Sequence, residues 1–195
     1  MNAHNVNRSI KYVYIKSNVT DTEAFAKSVM IILNSRKGWG QLFVWNRVKA
    51  PTNNSYEIYL QTNDDIVKEH GKSFDKLSCA RVGGPQCWIN YENWSNPPEK
   101  SGYSKKCQNV SEFMTCACYK YYVINHEVGH VLGLEHPTEK HLKTLQSLRD
   151  NLKHQINSPI MVQQTKGTHL KFNLTTHPYP SEYEIQMVKK IHKLN

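Results

Sequence analysis

The sequence has no apolar run approaching the roughly 20 residues of a membrane-crossing helix, so no membrane span is expected. Its opening stretch, Met1 to Ile10, lacks the apolar centre of a secretory signal, which makes the cytoplasm the default compartment. Arginine is scarce, 5 against 20 lysines. Specific phosphate and base recognition leans on the planar arginine fork, so the formal charge of +9 reads as a solvated lysine surface. Nucleic acid is therefore not expected as a partner. There are no internal repeats and no linker long enough to divide the 195 residues. A hydrophobic content of 38% is low, yet enough for one self-supporting core in a chain of this length.

Cysteine pairs of the C-x-x-C type are also missing, which excludes a zinc ribbon or a thioredoxin-like motif. The five cysteines are Cys79, Cys87, Cys107, Cys116 and Cys118, an odd count that argues against a fully paired framework. Cys79 and Cys87 flank Gly83-Gly84-Pro85 and could bridge that turn, or stay as thiols. Sequons at Asn18, Asn53, Asn93, Asn109 and Asn173 carry little weight without a secretory signal.

What is present is a strand-and-helix pattern. Arg8 to Lys16 alternates as a strand, and Thr20-Asp21-Thr22-Glu23 predicts a capping box with Thr20 as the cap. The helix after it carries Phe25, Val29, Ile32 and Leu33 on one face, with Gly38 as its stop. Residues 41–45, 56–60, 77–82 and 87–91 read as further strands, and 94–108 as a polar loop. Helices are predicted over 119–132 and 139–155, and Ser181-Glu182-Tyr183-Glu184 is a second capping box opening a C-terminal helix. This order of strands followed by helices is an α+β pattern.

The chemistry concentrates in His126-Glu127-Val128-Gly129-His130-Val131-Leu132-Gly133-Leu134-Glu135-His136, which matches H-E-x-x-H-x-x-G-x-x-H. A helical repeat of about 3.6 residues sets His126 and His130 one turn apart on one face, where two imidazoles can share an ion. Gly133 can take the left-handed conformation that ends a helix and turns the chain, returning His136 as a third ligand. Three nitrogen ligands leave a fourth tetrahedral position open, as in catalytic zinc sites. Glu127 is placed to act as general base. The bland alternative is a surface helix that happens to hold three histidines, but Val123, Ile124, Val131 and Leu134 make this a core-facing element.

At these residues the chain resembles the metzincin clan of zinc metallopeptidases. The clan has a methionine turn beneath the metal, which Ser158-Pro159-Ile160-Met161 matches, with Met161 as an apolar floor. More closely, Trp39, Phe43 to Val48, Cys79, Cys87, Ile89-Asn90, Trp94, Tyr119 to His136, Ile160 to Thr165 and Pro178-Tyr179-Pro180 resemble an uncharacterised zincin-like domain common in secreted or anchored actinobacterial proteins. The likeness spans nearly the whole chain. It departs from that domain in Glu139 to Asn157, which looks like an insertion, and in lacking the anchoring segment. Gln163 stands where some metzincins have a tyrosine ligand.

The resemblance implies a metzincin/zincin-like fold: a twisted, mostly parallel five-stranded sheet packed on a long first helix and an active-site helix, with a C-terminal helix. One domain over 1–195 is expected, with 1–136 as the sheet subdomain and 137–195 as a lower subdomain. It further implies a monomeric endopeptidase with one zinc on His126, His130 and His136, Glu127 as base, Gly133, Pro159 and Met161 as supports, and a protein or peptide substrate. The strand around Leu77 to Val82 is the candidate to pair with it. A zinc module without proteolysis and a basic nucleic-acid-binding protein are the alternatives. The first is disfavoured by the intact Glu127, the second by the missing fourth protein ligand.

Overall fold

The computed structural model describes residues 8–103, 119–152 and 156–194. Cys107, Cys116, Cys118, Asn109 and the Lys105-Lys106 pair fall outside the described residues. Strand β1 (Ser9–Ser17) leads into helix α1 (Thr22–Leu33), and β2 (Phe43–Val48) and β3 (Ser55–Gln61) follow. Helix α2 (Asn63–His70) then precedes β4 (Cys79–Ala80) and β5 (Gln86–Asn90). The second half is helical: α3 (Tyr91–Ser95), α4 (Tyr119–Val131), α5 (Glu139–Leu152), the single turn α6 (Thr168–Lys171) and α7 (Glu182–Ile191).

The five strands lie in the order β2-β1-β3-β5-β4. All neighbours run parallel except β4, which pairs antiparallel with β5 through Cys79–Trp88 and Ala80–Cys87. The mostly parallel five-stranded sheet is thus as expected, but its connections are α/β rather than α+β. The reason is α2, a helix absent from the sequence reading, inserted between two strands. Only Ile66 of its eight residues is buried, so it has no apolar stripe to read, and Thr62 capping the Asp65 amide starts it.

Alternation sorts each strand's side chains. Val13, Ile15, Ile58, Leu60, Cys87 and Ile89 point to one face, where they meet Phe25, Ala26, Val29, Ile32 and Leu33 of α1 and the apolar residues of α4. The same cluster continues through Met161 into Ile185 and Val188 of α7. Each fully buried aliphatic chain contributes about 1.5–3 kcal/mol, so this one cluster outweighs any single polar contact. A small separate cluster of Leu142, Val162 and Leu174 seats α5. No helix of the described residues is long and apolar enough to cross a membrane.

Local details correct several expectations. Asp21, not Thr20, caps α1: its carboxylate accepts from the Glu23 amide at 3.0 Å, while Thr20 bonds to Ser17. Glu23 is drawn off to a bidentate pair with Arg47 at 2.6 and 2.8 Å. Helix α1 ends at Leu33, before Gly38, because Asn34 closes it and carries its side chain across to β2. The strand expected over 77–82 shortens to Cys79–Ala80, and the 94–108 loop begins inside α3. Cys79 and Cys87 are buried free thiols. The capping box at Ser181 is present in full.

Candidate metal centre

Helix α4 is buried on nearly every side. Of its residues from Tyr121 to Val131, each is buried, His126, Glu127 and His130 included. The helix ends in a Schellman turn: Gly133, at φ 97°, donates its amide to the His130 carbonyl, and Leu134 donates to Gly129. A side chain at Gly133 would be strained there. That turn does two things at once. It points the Leu134 carbonyl at His130 Nδ1, 2.7 Å away, and it reverses the chain so that the exposed His136 comes back over the helix.

The three imidazoles converge. His136 Nε2 lies 3.0 Å from His130 Nε2 and 3.2 Å from His126 Nε2. His126 Nδ1 faces the Ile160 carbonyl at 2.7 Å, as His130 Nδ1 faces Leu134. A carbonyl only accepts, so each of these Nδ1 atoms carries the proton and each Nε2 presents a lone pair. Loss of solvent and neighbouring charges favour the neutral rings: the pKa of His126 is well below its usual range, that of His130 is lowered by burial, and that of His136, whose ring is only partly desolvated, is brought to about 4 by that desolvation, His130 and the Lys166 ammonium. The lone pairs of His126 and His130 thus converge on His136 Nε2, and with that nitrogen also unprotonated the three can share one cation. A tetrahedral ion with nitrogens at about 2.0–2.1 Å requires nitrogen separations of roughly 3.3 Å, so the donor set fits zinc.

Glu127, next to the first histidine, is buried, and loss of solvent alone lifts its carboxyl to about 8. It shares with the histidines a cleft of about 390 Å³, walled by Leu77 to Ala80 on one side and Gln163 on the other. A larger concavity, about 920 Å³, is elsewhere, beside Arg36, Lys189 and Lys193. The histidine cluster does not line it.

Four supporting residues escaped the sequence reading. Gly129 lets the 158–161 turn approach: a Cβ there would sit 2.5 Å from Met161 Sδ and 3.3 Å from Trp39. Glu184, whose capping role was legible, also accepts from the amides of Ile160 at 3.1 Å and Met161 at 2.9 Å, so its buried carboxylate holds that turn in place. Tyr122, one turn before His126, donates to the Val162 carbonyl and accepts from the Gln164 amide. Asn125 ties α4 to Pro178 through its amide, and its carbonyl accepts from the Trp39 indole. The signal for Gly129 was the glycine itself, in the middle of a helix where it costs stability. The buried Met161 and nearby Pro159 line a cleft of about 230 Å³ together with His136, Tyr183 and Met187.

Fold and site together define an α/β protein with a three-histidine cluster built from one helix and the turn that ends it. The chain belongs to the family described as a protein of unknown function (DUF3152), which it matches over residues 8–178. No curated protein matches it. Among solved structures, archaemetzincin (amzA) from Methanopyrus kandleri aligns over 97% of this chain and 98% of that one. The identity is 9% and the TM-score 0.45, too low to carry an argument.

Proposed function

We propose that the chain is a zinc-dependent, metzincin-like endopeptidase acting on protein or peptide substrates, with His126, His130 and His136 holding one ion. The observation that carries this reading is the meeting of three imidazole nitrogens beside a buried carboxylate in an open cleft. Zinc, when bound, supplies a Lewis acid that polarises a carbonyl and acidifies water. The protein's own groups do the rest. Glu127 takes a proton from the attacking water as its oxygen bonds to the scissile carbon, and returns that proton to the amine nitrogen as the C–N bond breaks. Its raised affinity for a proton suits both steps. The Ile160 and Leu134 carbonyls fix the tautomers and directions of His126 and His130. Gly133 turns the chain to His136, while Pro159 and Met161 form the floor.

The test is metal analysis and peptide cleavage for the wild type and Glu127→Gln. The variant is expected to keep one zinc per chain and lose about 10²–10⁴-fold in hydrolysis. Full activity in that variant would overturn the mechanism, and a wild type that holds zinc but cleaves no peptide would overturn the assignment.

A further inference from the structure

The histidine cleft does not end at the histidines. Leu77 also lines a second hollow of about 400 Å³, together with Asn93, Pro97, Thr165 and Lys166. The segment after Met161 lines both hollows, Gln163 the first and Lys166 the second.

Its charges are unevenly committed. Two acids and two lysines line it. Asp75 is already paired, with Lys72 at 3.2 Å and with the Asn63 side-chain amide at 2.9 Å. Glu99 is engaged as well. Lys76 and Lys166 are exposed, and neither side chain has a hydrogen bond or ion pair among the described residues.

Lys76 is held there by construction. It is one of three non-glycine residues with positive φ among the described residues, at 60°, a conformation disfavoured for a side chain of this kind. Two asparagines keep it so: the Asn63 carbonyl accepts the Lys76 amide at 2.6 Å, and Asn93 donates to the Lys76 carbonyl at 2.8 Å. Asn63 is in turn fixed by Asp75, Asn90 and Glu92. A strained backbone clamped by a polar network, and carrying an unpaired cation into a cleft, fits a binding role better than a surface lysine does.

The geometry points to an acid-selecting subsite: Lys76 and Lys166 together receive a carboxylate side chain of a polypeptide lying across the histidines. This rests on the peptidase reading for its substrate class, and its test separates the two. Zinc-loaded Glu127→Gln protein is titrated with short fluorescein-labelled peptides carrying Glu at one position, or Gln in its place, and polarisation is read at low and high salt. The same peptides are offered to the active chain for cleavage.

Glu peptides are expected to bind about five- to tenfold more tightly than their Gln partners, with the gap narrowing in salt. Adding Lys76→Asn and Lys166→Gln should bring the ratio to one with zinc content unchanged; asparagine tolerates the left-handed backbone that Lys76 occupies. Lys166→Glu, which leaves that backbone alone, should by itself abolish the preference for Glu over Gln peptides, because the new carboxylate pairs with Lys76. Cleavage by the active chain without acid preference in binding overturns the subsite and leaves the peptidase reading standing, whereas binding with neither acid preference nor cleavage removes both. Acid preference in binding without cleavage by the active chain keeps the subsite and removes that reading. Neither binding nor cleavage removes both.

Discussion

Helices α4 and α5 are nearly the same length, 13 and 14 residues, and differ in almost everything else. Helix α4 is covered by the sheet, Trp39 and the 158–161 turn, and its polar residues each meet a defined partner or the cleft. Helix α5 has the cleaner amphipathic pattern, yet Leu142 is its one buried residue among those described, and Leu148 stays 45% exposed. An amphipathic stripe records shallow burial on one side. A helix enclosed all round loses that stripe, and the positions it frees from solvent are where neutral imidazoles and a protonatable carboxylate can be held. Chemistry therefore sits in the helix whose pattern is less regular.

The contrast can be broken at four places, in falling order of effect. His126→Ala on α4 is expected to reduce zinc from one ion per chain to none, whereas His141→Ala on α5 leaves it unchanged. Metal analysis after dialysis reads this, and chelation should lower Tm in the wild type alone. Next comes Glu184→Gln, which withdraws charge from a group that accepts from Ile160, Met161 and Ser181. It should cost about 2–3 kcal/mol, seen as a Tm fall of roughly 5–10 °C, with weaker zinc binding because the Ile160 carbonyl orients His126. A Tm unchanged within error would mean the turn holds without it.

Gly129→Ala should cost about 1–3 kcal/mol, since Met161 and Trp39 must give way. Equilibrium urea unfolding measures it, and an unchanged midpoint would show that Met161 simply swings aside. Leu148→Ala on α5 should stay within about 0.5 kcal/mol, against about 2–3 kcal/mol for Leu142→Ala on the same helix. Equal losses at the two leucines would mean that α5 is better covered than its exposure indicates.

Most of the site was legible because it is local. His126, Glu127, His130, Gly133 and His136 fall within one helix and one turn, where 3.6-residue geometry and a glycine's freedom suffice to bring three rings together. The strands around Val13, Ile58 and Ile89 were legible from alternation for the same reason. The residues that escaped act at a distance. Glu184 announces a capping box through its neighbours, but its second duty depends on a turn 23 residues away. Tyr122 is an unremarked aromatic until Val162 and Gln164 fold against it. Helix α2 carries one buried side chain, too few for a periodic signal, and its presence is what makes the connections α/β.

The amino-acid sequence by itself determined the spacing of the three histidines, the carboxylate beside the first, the glycine that turns the chain, and the alternation that builds the sheet. Each follows from backbone geometry over a few residues. Tertiary structure alone decided which nitrogen of each ring is free, because the carbonyls of Ile160 and Leu134 claim the other one in His126 and His130. It also decided that Glu127 lies out of water, that Glu184 holds the 158–161 turn, and that Lys76 and Lys166 share one hollow. Those outcomes depend on burial and on contacts between residues far apart in the chain, which no local pattern encodes.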